Sequence, residues 1–442
     1  MKPPKSKMAE LAANASGGEK PHAETAESAE FKMTELGPIP VDWEVKRLGE
    51  CCTRIKNGFT YSVCNRGSYK ISRIETISKG VVNYSRVGYV KDAPPADYML
   101  SNGDILFSHI NSLPYIGNVA LYDGKELLYH GMNLLLLRCN ESANANYLYY
   151  ALSSSPMRSK ARELAKIAIN QASISIGDLS RSEIPLPSLP EQRRIAEALS
   201  DIDELIFALG KLIEKKRNIK TGAMQQLLTG KTRLPGLKGK WVEKRLGECG
   251  YCFNGITGKL GSDFGHGVSR YITFLNVLSN VVINPLMFEA VDICSGESQN
   301  EVRRGDVFFN TSSETPEEVG LCAVLEDDVK SVYLNSFCFG FRLTDEDVCG
   351  RFLAYWFRSS TGRALMTSLA QGSTRYNLSK DAFREAYVCI PPTFAEQRAI
   401  ATVLSDIDAE IAALEADRAK YERIKSGMMQ ELLTGKTRLK GE

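Results

Sequence analysis

No stretch of this 442-residue chain is apolar for long enough to cross a bilayer, and its first residues lack the apolar core of a signal peptide. A large charge of one sign is missing too: 55 basic against 53 acidic residues leave a net charge of +2. A protein that coats nucleic acid without regard to sequence carries a far larger basic excess, so contact with a polyanion has to use local patches. The 11 cysteines are odd in number and follow no regular spacing. That excludes a secreted disulfide framework and fits reduced thiols in a cytoplasmic protein with no membrane segment. The first thirty residues contain no aromatic side chain and are rich in Ala, Glu, Lys and Pro, which predicts a disordered tail over 1–30.

Signatures of catalysis are also wanting. The octapeptide LLTGKTRL occurs at 227–234 and again at 432–439, and its Gly-Lys-Thr is the tail of a phosphate-binding loop. That loop needs a glycine five residues earlier, where Gln225 and Gln430 stand, and a strand before it with a helix after. Here the glycines Gly230 and Gly435 follow a helical pattern, the place of a C-terminal cap. Cys249-Gly-Tyr-Cys252 has no second pair to complete a zinc site, and the repeat described below puts Arg54 where Cys252 stands. The four histidines, His22, His109, His130 and His266, are isolated in sequence and select no nucleophile. Asp42-Trp-Glu44-Val-Lys46 loses its aspartate in the second copy, and neither Asp263-Phe-Gly-His-Gly267 nor Ile390-Pro-Pro-Thr393 has the pattern of a methyltransferase loop. These residues give no support to catalytic, cofactor-binding or metal-binding roles in the chain itself.

What is present is a repeat. Glu191-Gln-Arg-Arg-Ile-Ala returns as Glu396-Gln-Arg-Ala-Ile-Ala, and both this motif and LLTGKTRL recur at the same spacing of 205 residues. Two copies about 44 residues long therefore align without a gap. Upstream, Trp43-Glu-Val-Lys-Arg-Leu-Gly-Glu-Cys51 answers Trp241-Val-Glu-Lys-Arg-Leu-Gly-Glu-Cys249, and Gly103-Asp-Ile-Leu-Phe-Ser108 answers Gly305-Asp-Val-Phe-Phe-Asn310. Between these anchors the copies share little. The pattern predicts a tail (1–30), a globular module (31–190), a helix (191–234), a second module (235–392) and a second helix (393–439).

A heptad seam runs through both repeated segments, through Ile195, Leu199, Ile202, Ile206, Leu209 and Ile213 in the first. In the second it passes Ile400, Leu404, Ile407, Ile411, Leu414, Tyr421 and Met428. Each helix would be roughly 38 residues, about 57 Å at 1.5 Å per residue, and the two could bury their seams on each other as an antiparallel coiled coil. The modules read as mixed α/β (α+β). Runs 131–138 and 332–342 suggest buried strands, and amphipathic helices are predicted over 147–166 and 351–370. The whole is then two tandem modules separated by two long antiparallel helices, a pseudo-two-fold internal repeat.

The modules also carry side chains suited to base edges and phosphates. The first has Asn57, Arg66, Lys70 and Arg73, then His109, Asn111 and Ser112 after its Gly-Asp strand. Asn170, Gln171 and Ser173 follow its helix. The second has Lys259 and Arg270, then Asn310, Ser312, Ser313 and Glu314 after the corresponding strand, and Gln371, Ser373, Thr374, Arg375 and Asn377 after its helix. Asn and Gln can pair with adenine, Arg with guanine, and Glu can accept from cytosine. Corresponding positions are polar yet different, as two readers of different sequences would require.

Taken together, the W-x-x-K-R-L-G-E openings, the G-D-[IV]-x-F strands, the I-P-x-P and I-P-P exits and the E-Q-R-x-I-A…L-S-D-I-D helices resemble type I restriction-modification DNA specificity subunits. The resemblance covers residues from about 37 to 439. It implies two target-recognition domains, each reading half of a split site in double-stranded DNA, with the helices as spacer and docking surface. It further implies two methyltransferase (modification) subunits bringing S-adenosylmethionine for adenine methylation. Restriction subunits would bring ATP- and Mg2+-dependent translocation and cleavage, leaving no chemistry to this chain. Two rivals remain at this point: a coiled-coil scaffold whose modules bind proteins, and a stand-alone methyltransferase.

Overall fold

The longest regular elements are two helices of 39 residues each, Leu189–Leu227 and Phe394–Leu432. Both end where the glycine caps were placed, with Gly230 and Gly435 each at φ +70°, a backbone conformation that a side chain would strain. These helices come from a computed structural model that describes residues 30–62, 67–78, 80–169, 171–294 and 296–440. The expected tail lies outside the described residues except for Glu30. Among the described residues no helix is long and apolar enough to cross a membrane.

The chain gathers into two units. One comprises the chain up to Phe207 and again from Ala419, and the other runs from Ala208 to Arg418. Each unit therefore takes the start of one long helix and the end of the other. Within the first unit, Lys425 Nζ lies 2.6 and 2.8 Å from the two carboxylate oxygens of Asp203, so the start of the first helix meets the end of the second antiparallel. Within the second unit the equivalent pair is Lys220 with Asp408 at 2.6 Å, joined by Lys216 with Glu410 and Arg217 with Glu415. The tyrosines Tyr150 and Tyr355 donate to the same aspartates at 2.9 and 2.8 Å.

Part of the heptad seam is used differently from the expectation. Ile195 and Leu199 are fully buried, but in a core shared with Trp43, Leu135 and Tyr147 of the first module. Ile400 and Leu404 join Phe339, Phe352 and Trp356 of the second in the same way. The seam thus begins as a module contact. Further along, Ile202, Leu209, Ile213 and Ile411 are buried, whereas Ile206, Ile407, Leu414, Tyr421 and Met428 are half-buried.

Each module is built on a four-stranded antiparallel sheet. In the first its order is Cys52–Asn57, Leu134–Cys139, Ile105–Ser108 and Val119–Leu121. In the second it is Gly250–Asn254, Cys338–Leu343, Val307–Asn310 and Cys322–Val324. Continuous apolar runs suit the central strands, because both faces are covered: Ile105, Leu106, Leu134 and Leu135 are all fully buried. The Gly-Asp motif that precedes the strand is structural. Gly103 and Gly305 both take φ +89°, and Asp104 and Asp306 each receive a bidentate arginine, Arg138 at 2.7 Å and Arg342 at 2.6–2.8 Å.

Two expectations for the modules need correction. The helices predicted over 147–166 and 351–370 are each broken into two, Ala145–Ser153 with Ser155–Leu164, and Gly350–Arg358 with Ser360–Leu369. Ser154 and Ser359 sit at the breaks in extended conformation. Ser359 caps the new helix by accepting from the Gly362 amide, and in the first module Pro156 opens it. The predicted strand run 332–342 is likewise two strands in different sheets. Val332–Leu334 pairs in parallel with Phe264–Ile272, and Cys338–Leu343 belongs to the four-stranded sheet.

Candidate nucleic-acid interface

The repeated motifs come together before any surface is considered. In the first unit Trp43 is 1% exposed and packs on Gly435, where an added Cβ would lie 3.1 Å from the indole. The indole nitrogen donates to Glu191 at 3.2 Å, and Arg438 holds the same buried carboxylate at 2.7 and 2.8 Å. In the second unit Trp241 packs on Gly230, where an added Cβ would lie 3.1 Å from the indole, and Arg233 makes a bidentate pair with the buried Glu396. Gln192 and Gln397 occupy equivalent roles, each accepting at 2.8 Å from the amide that opens a module helix, Asn144 or Cys349. The tryptophan opening, the E-Q-R segment and LLTGKTRL therefore form one interlocked junction, made twice. The two junctions differ in two places: the half-buried Trp241 has no hydrogen-bond partner for its indole nitrogen among the described residues, and Asp42, which binds Arg438 through both oxygens at 2.8 Å, is replaced by Lys240 in the other copy.

Beyond the four-stranded sheet each module raises a small three-stranded one. In the first, Lys166–Ala168, Gln171–Ser173 and Ile110–Asn111 pair antiparallel in that order. In the second, Ala370–Gln371, Tyr376–Leu378 and Ser312–Ser313 do the same. The registers match, Ala172 facing Asn111 as Tyr376 faces Ser313. These sheets unite the two groups of candidates that were separate in sequence, those after the strand and those after the helix. Gln171, Ser173, Gln371, Ser373, Thr374, Arg375 and Asn377 are exposed on them or on their connecting turn, with Asn111, Ser312 and Ser313 half-buried beside them. Ser112 and Glu314 are exposed just beyond the edge strand.

Not every candidate lies there. His109 is 8% exposed, its Nδ1 3.2 Å from the Ile174 carbonyl, and burial lowers its pKa. Asn310 is fully buried and donates to the Glu318 carbonyl at 3.0 Å. Both are corrected to internal roles, since in this conformation neither reaches a surface. Lys70 and Lys259 are paired with Glu126 and Glu297, and Arg73 with Glu75. Asn57 is exposed at the end of a strand in the larger sheet, and Arg270 is exposed on the strand Phe264–Ile272 without a hydrogen-bond partner for its side chain among the described residues. Arg66 and Asn170 lie outside the described residues. Cys249 and Cys252 are raised to about 11 by burial, which leaves them as protonated thiols at neutral pH.

The sequence reasoning missed several residues at this surface. Lys166 is exposed without an ion pair among the described residues, and Ile167 and Ile169 beside it are exposed as well. A hollow of about 230 Å³, lined by Glu75, Arg86, Asn111, Ser112 and Tyr115 among others, adjoins the edge strand of the first module. Residues 166–173 (KIAINQAS) carry no strand alternation and fall at the end of a helical pattern, so no local signal marks them.

Comparison with known proteins agrees with this architecture. Residues 40–220 and 288–425 match the family described as the type I restriction modification DNA specificity domain. A protein of Methanocaldococcus jannaschii assigned as the MjaX type I restriction enzyme specificity subunit is 33% identical over 430 residues, spanning 93% of this chain and 97% of that one. The S subunit of a type I restriction-modification system from M. genitalium superposes with a TM-score of 0.57 at 17% identity, covering 88% of this chain and 96% of that one. A chain from a structure concerned with complex assembly and conformational transition of the type I R-M system gives 0.54 at 20% identity, covering 90% and 99%. At these identities the two structures speak to the fold.

Proposed function

Because the chain belongs to the type I restriction-modification DNA specificity family, we propose that each of its two units reads one half of a split site in double-stranded DNA. The chain is a specificity subunit of such a system. It recognises and positions, and the chemistry belongs to other chains of the complex: two modification subunits bringing S-adenosylmethionine for adenine methylation, and restriction subunits bringing ATP- and Mg2+-dependent translocation and cleavage. The setting is the cytoplasm, in keeping with ten cysteines that stand as free thiols among the described residues.

One observation carries this reading. The junction of Trp43, Gly435, Glu191 and Arg438 returns as Trp241, Gly230, Glu396 and Arg233, with the tryptophan on the glycine and the arginine on the glutamate in both, whereas the exposed three-stranded sheets differ in almost every side chain. A repeated framework presents the same surface twice and suits two copies of one partner. A pair of differing polar sheets suits two different base sequences, with Arg and Gln for guanine and adenine and Glu for cytosine.

The test is to express the chain with its modification partner and map methylated adenines across the genome. A fixed pair of short base clusters separated by a constant gap is the expected result. Binding of the complex to a duplex carrying that site should also weaken steeply with salt. A continuous site, or no salt-dependent binding to duplex DNA, would instead favour modules that bind proteins.

A further inference from the structure

The three-stranded sheets occupy the same place in both units, yet their outer rims have opposite chemistry. In the first unit Ile167 is 73% exposed and Ile169 94%, on the hairpin that carries Gln171. Tyr115, 54% exposed, stands on the turn that follows the strand at the other edge of the sheet. In the second unit the matching turn, centred on Pro316 where the first has Pro114, carries Thr315 and Glu317. Its hairpin presents Gly372, Ser373, Thr374 and Arg375, all exposed.

An apolar patch that is not repeated does not belong to a partner bound twice by the repeated framework. It belongs to whatever differs between the two units. Its surroundings hold two cations without an ion pair among the described residues: Lys166, exposed in the same strand as Ile167, and Arg86, exposed on the adjoining hollow, where the carboxylate of Glu75 is already taken by Arg73. The occupant is therefore apolar at the point of contact and anionic around it. In the major groove of duplex DNA one base edge carries such a group, the 5-methyl of thymine, with phosphates on either side.

Resting on the DNA-reading function above, we propose that the first unit reads thymine methyl groups with Ile167 and Ile169, while the second reads base edges by hydrogen bonds through Gln371 and Arg375. Arg375 suits guanine in bidentate fashion, and Gln371 suits adenine. The two half-sites are thus distinguished by different kinds of contact on a common sheet.

The experiment uses the full chain in complex with its modification subunit and a duplex bearing the mapped site. Half-sites are assigned to units by exchanging residues 235–390 for those of another family member. Thymines are then replaced by deoxyuridine, one half-site at a time, which removes only the methyl group. Each contacted methyl lost from the first half-site should weaken binding roughly four-fold, since burying one such group is worth about 0.8 kcal/mol. The same replacement in the second half-site should leave affinity unchanged. A chain carrying Ile167→Ser and Ile169→Ser, checked for an unchanged melting temperature, should bind the ordinary duplex more weakly and no longer respond to deoxyuridine. A first half-site without thymine, or one indifferent to deoxyuridine in the unmodified chain, would overturn the proposal while leaving the split-site function standing. So would an Ile variant that loses its modification subunit rather than its DNA. Absence of a split site would sink the function itself.

Discussion

The junction around Trp43 and the sheet rim around Ile167 lie in the same unit, yet only the junction is copied into the other. At the junction every repeated motif supports another: glycine seats the tryptophan, glutamate holds the arginine, and the neighbouring glutamine opens a module helix. A change at the glutamate or arginine leaves a buried polar group without its partner, and a side chain at the glycine would crowd the indole, so these positions vary together. At the rim the side chains face solvent and are bonded to little else, so they can change one at a time at small cost to the fold. The difference teaches where identity in the repeat comes from. At the junction identity goes with mutual burial, and at the rim divergence goes with exposure.

The largest expected effect tests whether the two junctions are equivalent. Arg438→Ala and Arg233→Ala each abandon a buried glutamate, and each should destabilise its own unit by about 3 kcal/mol or more. Hydrogen exchange resolved along the chain would show loss of protection confined to one unit per variant. Spread of the loss to both, or a large effect at one arginine alone, would break the equivalence.

A second effect should separate the units. His130 is fully buried in the first unit, its Nδ1 has no hydrogen-bond partner among the described residues, and desolvation pushes its pKa down to about 4. The unfolded chain takes up this proton near pH 6.5, while the folded unit resists it until about pH 4. Stability is therefore complete above pH 6.5 and is lost as pH falls toward 4, by up to about 3 kcal/mol. The histidine of the second unit, His266, is exposed. His130→Gln should reduce the acid dependence of the first unit in a urea titration, leaving the part due to buried His109, and an unaltered profile would exclude this cause.

The smallest effect lies along the helices. Lys425→Ala and Lys220→Ala remove half-exposed pairs with Asp203 and Asp408, and each should cost only about 0.5 kcal/mol. Similar shifts in denaturant midpoint for the two variants would sharpen the equivalence of the helix pairing, and unequal ones would weaken it.

Much of this was legible in the sequence. The two long helices, their glycine caps and the division into repeated and divergent parts all follow from periodicity and spacing. The rejection of a phosphate loop at LLTGKTRL survives in a stronger form, since Gly230 and Gly435 are now explained by the indoles packed on them. What escaped depends on contacts distant in the chain. Pairing of Ile110–Asn111 with Gln171–Ser173 joins strands of two and three residues across some sixty positions, and no local pattern announces it. His109 and Asn310 look like polar residues of a loop, but each is drawn inside by a carbonyl far along the chain or across a turn. Ser154 and Ser359 break helices whose apolar spacing runs on past them, because a cap is a matter of backbone geometry at one residue.

The claim that two different readers stand on one repeated framework is tested most directly by exchange. Residues 235–390 would be replaced by the corresponding module of another family member, and the methylated adenines of cells carrying the chimera and its modification subunit mapped. The account predicts that one half of the target changes while the other half keeps its sequence. A change in both halves, or in neither, would contradict it.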